Sequence, residues 1–172
     1  IEIDRGNKTK ISSIEFIGNN KFSSRKLRDI ISSEEQKFWK FLTRNTNFSK
    51  TRIDLDTRLL RNFYKSSGFY DIKINSKVAR INDKGNADLV FSINEGDRYL
   101  VKKISTQVDN VFDNEIFLPL NKTFKKYVGD YYSPFKIKKI LEDLDRIIED
   151  NNLQFVEHNV EEEIGNQFIN IK

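Results

Sequence analysis

The chain has 172 residues, 37% hydrophobic and 33% charged, enough for one ordinary domain or two small ones. It has no cysteine, which excludes disulfides, thiolate zinc sites and a cysteine nucleophile, and no apolar run approaching the ~20 residues of a membrane-spanning helix. Its net charge of +4 is uneven: residues 1–97 hold 19 Lys/Arg against 13 Asp/Glu, and residues 98–172 hold 11 against 13, far from the concentrated basic stripe of a nucleic-acid binder.

Ile11–Ile17 reads as a strand, with Ile14 and Phe16 alternating against Ser13 and Glu15. Gly18-Asn19-Asn20 is a turn signal, and Ser23 or Ser24 caps a short helix predicted through Ile31. Phe38-Trp39-Lys40-Phe41-Leu42 is an aromatic run with no counterpart at the same place later in the chain. Phe38, Trp39 and Phe41 suit either a cap folded onto the module's own core or a contact with an adjoining module or partner.

Ser49 opens the clearest helix, with Ile53, Leu59-Leu60 and Phe63-Tyr64 on one face and Gly68 where a left-handed residue belongs. Two strands follow, Tyr70–Asn82 and Ala87–Asn94, joined by a Gly85-containing hairpin turn. Val101–Ile104 begins the next strand. Ser133 and Pro134 open a second long helix with the stripe Ile137, Ile140-Leu141, Leu144 and Ile147-Ile148, and Asn152 replaces Gly at its end. A weakly patterned strand over Glu157–Glu163 and a last strand at Ile169–Ile171 turn about Gly165-Asn166.

The elements repeat. Ile1–Gly6 has the pattern of Phe91–Gly96 at a shift of 90, and Ile14 maps onto Ile104 at the same shift. At a shift of 84, Ser49 meets Ser133, Leu60 meets Leu144 and Gly68 meets Asn152; Ile169–Ile171 meets Phe91–Ile93 at 78. The shifts change in loops, where length varies freely. The expectation is an α+β fold of two tandem βααββ modules, residues 9–97 and 98–172, with residues 1–8 the tail of a preceding module and the last strand truncated at Lys172. Each module would be a three-stranded mixed sheet covered on one face by two antiparallel helices.

Reaction chemistry is hard to place on this pattern. His158 is the single histidine and reads as an exposed strand residue. Asp54 with Asp56, and Asp143 with Asp145, read as solvated helix faces, and Glu161–Glu163 lacks the ligand spacing of a calcium loop. Gly85 and Gly165 are lone turn glycines, so no phosphate-cradling loop exists. A KH-type RNA module has a similar order of elements, but residues 32–48 contain no Gly and so lack its backbone-clamping loop. Non-enzymatic binding of polypeptide is the expectation, with no cofactor, no metal and no nucleic acid.

The ordered set Ile14-x-Phe16-x-Gly18-Asn19, Phe22-Ser23, Phe38-Trp39, Leu59–Tyr64, Gly68-Phe69-Tyr70 and Ile93-Asn94-Glu95-Gly96 resembles the POTRA family, specifically the third POTRA module of bacterial outer-membrane protein assembly factors. Residues 98–172 would be the fourth. The resemblance implies a periplasmic arm beside neighbouring POTRA modules and a C-terminal membrane β-barrel. It implies reception of unfolded outer-membrane proteins, docking of accessory lipoproteins and no catalysis. POTRA scaffolds of two-partner secretion, translocation or division systems share these features. The resemblance also implies that the last strand is central, leaving the strand after the second helix on an edge. An extended client could pair there by β-augmentation, along Tyr70, Asp71, Ile72, Lys73, Ile74, Asn75, Ser76, Lys77 and Val78, unless Lys73 and Lys77 protect that edge.

Overall fold

The computed structural model describes residues 9–36, 46–81 and 83–172, with the backbone alone for Val78 and Ala79. The first eight residues and the aromatic run containing Phe38, Trp39 and Phe41 lie outside the described residues. The fold is α+β. The described residues form two compact units: one runs to Tyr64 and takes in Asp71–Gly96, and the other joins Lys65–Tyr70 to Asp97–Lys172.

In the first unit, β1 (Ile11–Ile17), β2 (Lys73–Ile81) and β3 (Ala87–Asn94) form one sheet in the order β1-β3-β2. β3 is central, parallel to β1 and antiparallel to β2. Alternation sets which face is buried: Ile14 pairs with Leu89 and Phe16 with Phe91, all four buried, and the Phe16 and Phe91 rings stack at 5.5 Å. The helical layer is α1 (Ser24–Arg28) and α2 (Lys50–Ser66), which bury Leu27 and Ile53, Leu60 and Tyr64. The opposite sheet face carries Glu15, Lys73, Asn75 and Lys77, all exposed.

Two polar anchors hold this unit's loops. Glu95 is only 7% exposed and accepts from the Tyr64 hydroxyl at 3.0 Å and the Lys21 N–H at 2.9 Å. It thereby fastens the β1–α1 turn to the end of β3. Gly18 makes that approach possible, because its φ is +86° and a Cβ there would collide with the Ile93 carbonyl oxygen. The second anchor corrects an expectation. Asp56 is fully buried rather than on a solvated helix face, and its carboxylate accepts from the Ser32 N–H and hydroxyl, both at 2.7 Å, and from the Ser33 N–H. This also shortens α1. The chain turns at Asp29-Ile30 instead of continuing to Ile31, so that the next two residues reach Asp56.

The second unit repeats the plan. β4 (Leu100–Ile104), β5 (Glu162–Ile164) and β6 (Phe168–Ile171) lie in the order β4-β6-β5, with β6 parallel to β4. α3 (Leu120–Tyr127), preceded by a 3-10 turn at Asn114–Phe117, packs with α4 (Pro134–Asp150) around Phe117, Leu120, Phe124, Tyr127 and Ile140. Ser133 precedes α4 with Pro134 at the first helical position, and Asn152 takes the left-handed φ of +50° expected of it. Val101, Tyr132, Ile169 and Ile171 form the sheet side of the core. Glu162 accepts from Tyr70 and Tyr132, each at 2.8 Å.

The strand expected over Glu157–Glu163 is much shorter. Glu161 still exchanges both main-chain hydrogen bonds with Lys172, but upstream His158 is drawn to α4, its Nε2 lying 2.9 Å from Asp145. With Glu161 already opposite Lys172, no β6 residue of this chain lies opposite the segment upstream of it, and His158 is not a strand residue.

Replacing Asp56 with Ala strands three donors in the interior, which should cost about 2–4 kcal/mol of first-unit stability in urea unfolding. Asp56→Asn, which keeps one acceptor oxygen, should cost less. Burial and then the neighbouring carboxylate push the Tyr64 and Tyr132 phenols well above their ordinary value. Their protons stay on in the folded chain after the unfolded chain has lost them. The stability they contribute is therefore full below pH ~10 and falls above it. Tyr132→Phe should flatten that alkaline loss in pH-dependent thermal melts; a slope equal to the parent's would contradict this.

Candidate peptide-docking edge

Each three-stranded sheet has two borders, and an unpaired border exposes a row of N–H and C=O groups. In the first unit these borders belong to β1 and β2, and their treatment differs.

β1 is closed. The Gln36 N–H donates to the Ile11 carbonyl at 2.8 Å, and the Ile14 N–H donates to the Glu35 carboxylate at 3.0 Å. The Ile14 carbonyl accepts from the Arg28 guanidinium at 2.7 Å, and Arg28 and Glu35 themselves approach to 3.4 Å. At its start β1 is flanked by an antiparallel bridge from Lys10 to Asn47.

β2 is open. Along Lys73–Ile81 the main chain bonds to β3 on one side, and no hydrogen bond reaches the other side from any described residue. Ile74 is buried, Ser76 is half-buried with the Thr57 hydroxyl 3.4 Å from its own, and Lys73, Asn75 and Lys77 are exposed. The regular register ends at a bulge between Val78 and Arg80. Asp88 fixes that bulge: it accepts from Ser12 at 2.6 Å and Ser13 at 2.7 Å, and Arg80 lies 3.5 Å away. These hydroxyls, and then Arg80, hold the Asp88 carboxyl below its usual range.

Of the residues expected along this edge, Lys73, Ile74, Asn75, Ser76, Lys77 and Val78 form one continuous strand. Tyr70, Asp71 and Ile72 do not. They lie in the turn that follows Gly68, whose φ is +96°; Tyr70 belongs to the second unit, and Ile72 is buried. The Arg28–Glu35 arrangement was missed from the sequence, since a Glu-Glu pair after a short helix gives no sign of bonding to a strand main chain.

The second unit closes the equivalent border by other means. The Val101 N–H donates to the Asp130 carbonyl and the Gly129 N–H to the Val101 carbonyl, both at 2.8 Å, with an antiparallel bridge from Leu100 to Tyr131. Its other edge, β5, is three residues long. Among the described residues no cluster of three or more His, Asp or Glu could hold a metal ion. His158 and Asp145 form a simple pair beside a cleft of about 470 Å³ lined by Val108, Phe112, Phe117 and Leu144.

The POTRA family model, described as a surface antigen variable number repeat, matches residues 9–96, just over half of the chain. The chain is 30% identical over 143 residues to the outer membrane protein assembly factor BamA of Neisseria meningitidis, an alignment covering 82% of this chain and 18% of that protein. It is 27% identical over 153 residues to BamA of Buchnera aphidicola, covering 86% and 24%. The chain thus spans about a fifth of the length of these curated relatives. A crystal structure of Haemophilus influenzae BamA POTRA3-5 superposes with a TM-score of 0.73 at 18% identity, covering 98% of this chain and 66% of that one. The chain belongs to the POTRA family, in modules of the kind carried by the outer-membrane protein assembly factor BamA.

Proposed function

We propose that this chain is a non-enzymatic, periplasmic scaffold of outer-membrane protein assembly, and that its first module receives unfolded outer-membrane proteins by strand addition to β2. In this reading residues 9–97 and 98–172 are the third and fourth modules of an array that ends in a membrane β-barrel, and the array also docks accessory lipoproteins.

The observation that carries the docking site is the outer side of Lys73–Val78, which no described residue pairs with. A free border binds through main-chain groups that every client possesses, so it makes little demand on client sequence. Its strength follows from its length. Six residues present alternate pairs of outward groups, hence ~6 hydrogen bonds at ~1 kcal/mol each, and ordering an extended client offsets part of that. The expected affinity is weak, with a Kd of roughly 0.1–1 mM. This suits a surface that must release what it receives. Lys73 and Lys77 keep the bare edge from pairing with itself through charge repulsion, while a client strand with polar or acidic residues on that face meets no such penalty.

Amide hydrogen exchange with and without a synthetic peptide from a β-barrel strand tests the site. Protection should appear across Lys73–Val78 and taper at the Arg80 bulge. Protection confined to other segments, with 73–78 unchanged, would remove β2 as the docking edge. Ser76→Pro and Asn75→Pro, tried separately, should between them place a proline at an outward N–H, and that variant should weaken binding about 5-fold or more.

A further inference from the structure

We infer that Glu35, held by Arg28, is a specificity-determining residue that shuts β1 to incoming strands, so that an extended polypeptide can join this sheet on one side only. This deepens the strand-addition reading and rests on it for the client, though not for the closure itself.

A strand that joins a border needs consecutive outward-facing residues, each offering its N–H and its C=O. On β1 the Ile14 N–H and C=O both point outward, because one donates to Glu35 and the other accepts from Arg28. These side chains occupy the two positions that a client main chain would need. The Ile11 carbonyl is likewise occupied by the Gln36 N–H. By alternation only Phe16 remains to face outward between Ile14 and the end of β1 at Ile17, too short for a ladder. Ion pairing alone would hold little, since the Arg28 and Glu35 side chains are 45% and 25% exposed. The hold comes from each charge meeting a main-chain partner on the same residue.

The second unit closes the matching border with main chain from residues 129–131. Two different devices at one topological position indicate that closure there matters in itself. A sheet open on both sides can bind two clients, or can join a second copy of the chain edge to edge. A sheet open on one side can take one strand, from a client or from one other copy, and no second.

The test uses the whole 172-residue chain, a β-strand peptide carrying a nitroxide at one end, relaxation enhancement at backbone amides, and light scattering for mass. The parent should bind one peptide, with broadening near β2. Glu35→Ala should either bind a second peptide, with new broadening at Ser13–Phe16, or form a dimer whose Ile14–Phe16 amides become protected. Glu35→Gln, which keeps an acceptor for the Ile14 N–H, should behave as the parent. If Glu35→Ala frees the Ile14 amide, speeding its exchange 10-fold or more, yet stays monomeric with one peptide bound, the inference fails. If the parent binds no peptide, strand addition at β2 fails instead, and dimerisation of Glu35→Ala alone decides the closure. Should Glu35→Ala lose its folded spectrum, Arg28→Ala is judged by the same criteria.

Discussion

Main-chain polar groups must find partners, and a sheet of three strands leaves two rows of them without. Everything notable about the first module follows from how those rows are handled. The central strand is satisfied on both sides. One border is stoppered by side chains and a loop amide, and the other meets no main-chain partner among the described residues for six regular residues before a bulge ends it. Burial fixes the faces of the sheet and polar anchoring fixes its borders, so the module's chemistry lies in its backbone.

The polar anchors give that backbone its precision. Glu95 ties the β1–α1 turn to the Tyr64 hydroxyl, and Gly18 lets that turn approach Ile93. Asp56 gathers Ser32 and Ser33, which ends α1 early and delivers Glu35 beside Ile14. A carboxylate buried under α2 therefore has a consequence at the sheet border. The second module uses the same logic with other residues: Glu162 holds two tyrosine hydroxyls, and the loop at Gly129–Tyr131 acts as a short extra strand.

The sequence made the local features legible. Ser49, Pro134, Gly68 and Asn152 mark helix ends because caps and left-handed residues are decided within a few positions. The alternation of Ile14, Phe16, Leu89 and Phe91 marks the buried face for the same reason. Features made across long separations stayed hidden. Asp56 looked like one more helix carboxylate because its serine partners lie in a distant loop, and nothing near Glu35 in the sequence marks it as a partner for a strand main chain. The strand near His158 is shorter than its residues suggest because the register leaves nothing opposite it once Glu161 meets Lys172. The strand after α2 was legible from Lys73 onward. Its start was set three residues early, because the turn after Gly68 carries apolar residues that mimic strand alternation.

The central claim is the inequality of the two borders, and amide hydrogen exchange of the free chain measures it directly. The Ile14 amide, bound to the Glu35 carboxylate, should exchange at the slow rate of the module's core. Alternate amides of Lys73–Val78, those that face away from β3, should exchange near the rate of unstructured chain. Equal protection along both strands, or an Ile14 amide as fast as the outward amides of β2, would contradict it.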